Sequence, residues 1–156
     1  MNILGVDAGQ AGGLAVVSNE SGVIKLVQGL RMPILQLRKK KIVDAVSVFD
    51  ALALHKLDAI VIEAVNAMPK QGVASSFQFG RSFGAIEALS YLQHSNIEYV
   101  TPTVWKNKLG LSRDKQASLD LARIRFGPSP LWEVKANDGI AEAALLCLWF
   151  LDKYKN

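Results

Sequence analysis

Cysteine and histidine are almost missing from this chain, which has one of the former, Cys147, and two of the latter, His55 and His94, in 156 residues. A lone thiol excludes an intramolecular disulfide, and so sparse a set of soft ligands excludes a Cys/His zinc site. Cys147 lies within an apolar stretch and reads as a core thiol in a reducing compartment. No apolar run approaches the roughly 18 residues needed to span a bilayer. The N-terminus also lacks the charged-then-apolar layout of a signal peptide, because Asp7 and a glycine-rich turn interrupt it at once. Internal repeats, linkers and low-complexity tracts are missing too. These absences predict a soluble cytoplasmic protein with no membrane partner.

What is present fits one globular domain spanning residues 1–156, with 50% hydrophobic and 21% charged residues. The net charge is +4 and the pI about 9.3. That mild basic excess is compatible with a polyanionic partner, although many proteins that bind no nucleic acid share it.

Hydrophobic periodicity predicts strands at 2–7, 14–17 and 23–30, joined by the turn at Gly9, Gly12 and Gly13 and by that from Asn19 to Gly22. A helix is expected from about Ile34 to Leu54, with Ile42, Val46, Phe49 and Leu52 on its apolar face. Residues 58–63 follow as a short β-branched buried strand. Residues 66–73 read as a loop, 74–93 as a helix and 97–100 as a fifth strand. Three helices complete the pattern: one capped by Thr101-Pro102-Thr103 and ending at Lys108, one near 114–126 capped by Ser112, and one from Asp138 to Tyr154. This order predicts an α/β ribonuclease-H-like fold: a five-stranded mixed sheet with helices on both faces.

Four carboxylates stand out against that frame. Asp7 closes the first buried strand, Glu63 closes the run Ala59-Ile60-Val61-Ile62, and Asp138 and Glu142 open the last helix one turn apart. Acids rarely end core strands, because burying an unpaired charge is costly. Asp7 and Glu63 would project from adjacent central strands, and residues four apart share a helix face. Hard oxygen donors of this kind suit magnesium, with manganese as an alternative. Two ions about 4 Å apart would activate water and stabilise a leaving 3′ oxygen in phosphodiester hydrolysis. The plainer readings are a first-turn acid at Asp138, a solvated Glu142, and an Asp7 that only bonds its glycine turn.

These residues sit in stretches that resemble the RuvC-like Holliday-junction resolvases, especially their phage-type branch. The matching stretches are Leu4-Gly5-Val6-Asp7, Val61-Ile62-Glu63, MPKQGVASSFQFGRSFG from Met68 to Gly84, TPTVWKNKLGL from Thr101, DKQAS from Asp114 and DGIAEAALL from Asp138. The resemblance implies a homodimer that nicks four-way DNA junctions symmetrically with magnesium, encoded by a phage or prophage. Asp7, Glu63, Asp138 and Glu142 match the family's catalytic and metal-binding acids. In bacterial members the last two acids are three apart rather than four, and a glutamine stands where this chain has Ala64.

The resemblance also makes Lys108 and Lys115 candidates for the catalytic face. Lys106, Arg113, Lys70, Gln71 and Arg81 are candidate DNA contacts, since phosphates need cations and polar donors. Met68 or Phe77 is a candidate wedge at an opened junction centre. Each basic residue also fits a solvated surface, and Phe77 and Phe79 also fit a core or dimer contact. The run Arg38-Lys39-Lys40-Lys41 reads as a solvated helix face or a contact to a DNA arm. Trp105, Trp132 and Trp149 read as packing residues. A C-terminal helix apolar on nearly every side adds to the expectation of a dimer.

Two other functions compete. The stretch GVDAGQAGG resembles the first phosphate-binding turn of actin-like and sugar-kinase-like ATPases, but those need two such domains and an adenosine-binding segment, so no nucleotide cofactor is expected. A nuclease of lower selectivity for flaps and forks, or a silent junction-binding module, would share the fold.

Overall fold

The computed structural model describes residues 1–38, 40–64, 72–93, 96–112 and 114–154. Three antiparallel strands open the chain: β1 (Asn2–Asp7), β2 (Gly13–Glu20) and β3 (Val23–Arg31). Ser21 and Gly22 turn between β2 and β3 with positive φ values of 52° and 87°, and the absence of a Cβ makes that conformation easy at Gly22. A hairpin of β4 (Ile34–Leu37) and β5 (Lys40–Val43) follows, then helix α1 (Ala45–Ala53). Next come β6 (Ala59–Glu63), α2 (Val73–Leu92), β7 (Asn96–Val100), α3 (Pro102–Lys108), α4 (Lys115–Phe126) and α5 (Asp138–Lys153).

The main sheet has the order β3-β2-β1-β6-β7. β1 pairs antiparallel with β2 and parallel with β6, and β6 pairs parallel with β7. This is the five-stranded mixed sheet of the ribonuclease-H-like fold. Period-2 alternation sorts its side chains onto two faces. Ile3, Ala15, Val17, Ala59 and Val61 pack with α5 and with Trp105, Leu119 and Trp132. Leu4, Val6, Leu14, Val16, Ile60 and Ile62 pack instead with Val48 and Leu52 of α1 and Ile86 of α2. Helices therefore cover both faces.

Two sequence expectations fail here. The helix expected over 34–54 is a β-hairpin followed by a short helix, and of its four proposed apolar positions Val46 is 70% and Phe49 43% exposed. The reason is local: Ile34, Leu35, Gln36 and Leu37 pair with Val43, Ile42, Lys41 and Lys40, and β-branched Ile34, Ile42 and Val43 suit that pairing. Arg38 turns the tip at φ 52°. Asp44 then starts α1 afresh, its carboxylate accepting from the Ser47 amide at 3.2 Å. Second, Asp114 rather than Ser112 caps α4, accepting from the Gln116 amide at 3.0 Å; Ser112 accepts from the Asp114 amide one step earlier.

Helix α5 is buried from Asp138 to Leu151 except at Glu142. It lies across β1 and β2 with α4 on its other side. Its all-round apolarity is used within the chain, so it gives no separate support for a dimer.

Candidate active site

Val6 and Ile62 are register partners on adjacent parallel strands, so Asp7 and Glu63, one residue further on, leave the sheet side by side. Both belong to the alternating set Ile3-Gly5-Asp7 and Ala59-Val61-Glu63, and that set faces α5. The acids ending two strands are thereby aimed at the helix that carries the other two.

Glycines fix how close the helix comes. Gly12 and Gly139 form a β-bridge. A Cβ built on Gly139 would lie 2.6 Å from the Gly12 Cα, and one on Gly13 would lie 2.7 Å from the Ile140 amide nitrogen. Further along, a Cβ on Gly5 would reach 1.8 Å from the Ala143 carbonyl oxygen. The first two turns of α5 thus rest on bare backbone of β1, β2 and their turn. The N-terminal end is held as well: Arg31 Nε donates to Asn137 Oδ1 at 2.7 Å.

The acids have distinct surroundings. Burial pushes the Asp7 carboxyl up to about 7, helped by the negative charge of Glu63 and, more weakly, of Glu142 and Asp138; the Gly9 amide opposes the rise. The same amide donates to Asp7 Oδ1 at 3.3 Å. Glu63 is 6% exposed, and burial raises its pKa as well. The indole of Trp105 opposes that rise, and so does Lys106. Trp105 Nε1 donates to Glu63 Oε1 at 2.8 Å.

The helix acids carry cationic partners. Lys106 Nζ meets Glu142 Oε1 at 2.7 Å, and Lys115 Nζ meets Asp138 Oδ2 at 2.5 Å. Ser118 Oγ also donates to Glu142 Oε1 at 3.1 Å. A cleft of about 250 Å³ opens over this arrangement, lined by Asp7, the Gly9–Gly12 turn, Lys106, Lys115, Asp138 and Glu142. Chemically it is an all-oxygen acidic centre flanked by two ammonium groups.

The other candidates divide. Lys115 stands at the acids. Lys108, expected there, is exposed on α3 and forms no ion pair with them among the described residues, whereas Lys106, expected only as a DNA contact, does. Helical geometry explains the exchange: two residues along α3 turn a side chain to the opposite side. Phe77 and Arg81 are exposed on α2, the guanidinium 6.0 Å from the ring centre. Phe79 is half-buried and packs beside Phe83. Met68, Lys70, Gln71 and Arg113 lie outside the described residues.

Sequence reasoning missed three contributors. Trp105 is a packing residue as expected, fully buried, but its indole also serves Glu63. Ser118 and the Gly12–Gly139 contact were not singled out, because nothing in a linear pattern shows which glycine a helix will rest on.

Over 99% of this chain and 97% of the other, the backbone matches that of Thermus thermophilus RuvC in complex with a Holliday junction substrate, with a TM-score of 0.71. The chain has the RuvC fold. A second structure of Thermus thermophilus RuvC matches over 98% of this chain and 96% of its own, with a TM-score of 0.69. Sequence identities are 17% and 19%. No protein-family model matches the sequence, and no curated protein does. Among the described residues, no helix is long and apolar enough to cross a membrane.

Proposed function

We propose that this chain is a metal-dependent endodeoxyribonuclease that resolves four-way DNA junctions by symmetric nicking as a homodimer, and that it belongs with the phage-type resolvases its motifs resemble. The observation that carries this reading is the placing of Asp7 and Glu63, at the ends of adjacent central strands, beside Asp138 and Glu142 at the start of α5 in a chain with the RuvC fold. One of the two Thermus thermophilus RuvC structures holds a Holliday junction substrate, which supports the same substrate here.

The donor set fits magnesium, with manganese as an alternative, because it offers carboxylate oxygens and neither nitrogen nor sulfur. Burial, and after it the charge of Glu63, raises the Asp7 pKa, and a divalent cation bound there would favour the ionised carboxylate. Asp7, Glu63, Asp138 and Glu142 would hold two ions. Among the described residues no three His, Cys, Asp or Glu side chains are gathered as a ligand group; Asp138 and Glu142 are each paired with a lysine. Bound there, the ions supply an activated water and neutralise charge on the phosphodiester.

The chain's own groups do the rest. Asp7 and Glu63 are fixed by their strands, and the Trp105 indole holds the Glu63 carboxylate in one orientation. Lys106 and Lys115 form ion pairs with Glu142 and Asp138. Turned towards bound DNA, the same ammonium groups would meet phosphate oxygens and favour the charge that develops on them.

The test is a substrate panel of labelled four-way junction, replication fork, flap and linear duplex, each with magnesium. Cutting of the junction at symmetric positions, with the duplex intact, is the expected result. Equal cutting of forks and flaps would replace this reading with a less selective nuclease. Binding without cutting would leave a junction-binding module.

A further inference from the structure

The β4–β5 hairpin has no part in the acidic centre, yet it carries the densest run of positive charge in the sequence. Arg38, Lys40 and Lys41 are all exposed on it. Neither Lys40 nor Lys41 forms an ion pair among the described residues. The backbone beneath them is nonetheless firmly held. Gln10 Nε2 donates to the Lys41 carbonyl at 2.9 Å, and Gln78 Nε2 of α2 donates to the same oxygen at 2.5 Å. At the base, the Asp44 amide donates to the Pro33 carbonyl, and Met32 and Val43 are buried in the core. Unpaired cations on a braced platform differ from an ordinary solvated face.

A cleft of about 500 Å³ separates the hairpin from α2, with Lys40 and Lys41 on one wall, Ser75, Phe77 and Gln78 on the other, and Gln10 between them. Its lining holds two lysines and no acid. Phe77 is 64% exposed, so its ring face is open to stacking by a base. Gln10 and Lys41 also line a second groove of about 720 Å³, which continues past Arg31, Lys115 and Lys135 to Asp138. The two grooves form one path from the hairpin to the acids, and Gln10 is three residues beyond Asp7.

We propose that this path holds an unpaired DNA strand leading away from the scissile phosphate, with Lys40 and Lys41 on its phosphates and a base stacked on Phe77. The inference rests on the nuclease reading and adds to it a strand-guiding surface. Cations along a groove with an exposed aromatic are what single strands require. A cleft the size of a small-molecule pocket admits a nucleotide or two and excludes a double helix.

The test measures binding of a 20-nucleotide oligothymidylate and of a 20-base-pair duplex, both without divalent ions, across a salt series. Wild type is expected to bind the oligothymidylate. Lys40→Ala/Lys41→Ala should weaken that binding about tenfold and lower its salt slope by about 1.4, at about 0.7 for each phosphate no longer neutralised. Phe77→Ala should weaken it about fivefold or more, the loss of one stacked base. Lys25→Ala/Lys56→Ala, which removes the same charge from exposed sites elsewhere, should change nothing. The proposal is overturned by absent oligothymidylate binding, by equal weakening in the Lys25→Ala/Lys56→Ala control, or by a hairpin effect confined to the duplex. Failure of the nuclease reading shows separately, as wild-type protein that does not cut a four-way junction with magnesium.

Discussion

Gly139 rests on Gly12 so closely that a methyl group on Gly139 would stand 2.6 Å from the Gly12 Cα, while one on Gly12 would stand 2.1 Å from the Asp7 carbonyl oxygen. This backbone contact joins the strand that carries Asp7 to the helix that carries Asp138 and Glu142. Gly139→Ala must therefore push the helix away from the turn. Overpacking of this kind costs about 1–3 kcal/mol, so a lowered Tm is expected. Junction cleavage should fall further than stability alone accounts for, because a misplacement of about 1 Å can cost about a hundredfold in rate. Thermal melts alongside cleavage rates at a temperature where the variant is folded check this.

Trp105→Phe keeps an aromatic ring in a fully buried position and removes only the indole donor to Glu63. Groups that orient metal ligands typically contribute about 10–100-fold to affinity or activity. Cleavage at limiting magnesium is expected to drop within that range, and saturating magnesium should restore part of it. A purely structural role for Trp105 would lower the Tm and leave the magnesium dependence unmoved.

The two lysines of α3 should behave differently. Lys106→Ala removes the partner of Glu142 and should lower the cleavage rate by about 100-fold or more, the scale of a lost electrostatic stabiliser. Lys108→Ala, on the exposed side, should alter the rate by less than about threefold, in keeping with a surface substitution. Single-turnover cleavage of a four-way junction compares them directly.

Asp7 links the site to pH. Its folded pKa of about 7 lies above the ordinary value of 3.8, so between those values the folded protein holds a proton that the unfolded chain has released. Stability of the metal-free protein therefore declines as pH rises from about 4 through 7. Asp7→Asn removes the penalty and should melt higher than wild type at pH 8 without metal, with little difference at pH 4. Magnesium should stabilise wild type more at pH 8 than at pH 6, since its ligand must be deprotonated. Melting curves at the three pH values, with and without magnesium, read all of this.

Most of the sheet was legible because its strands are short, β-branched and bounded by glycine turns, and because Asp7 and Glu63 interrupt apolar runs at points where a charge needs a reason. The hairpin at 34–43 was not, since Ile42, Val46, Phe49 and Leu52 happen to fall at helical spacing while β4 pairs with β5. In the site, the helix acids were found by their spacing, but the choice between Lys106 and Lys108 depends on the rotation of α3 against α5. The indole of Trp105 reaches Glu63 across 42 residues of sequence, and a contact of that range leaves no local pattern.

The most direct test of the central claim compares wild type, Asp7→Asn and Glu63→Gln on one end-labelled four-way junction, measuring binding and cleavage in the same tubes with magnesium. Wild type is expected to make paired symmetric nicks, with both variants binding as tightly and cutting at least about a thousandfold more slowly. Unaltered cutting by either variant, or loss of binding together with cutting, would contradict the placing of these two acids at the centre of the chemistry.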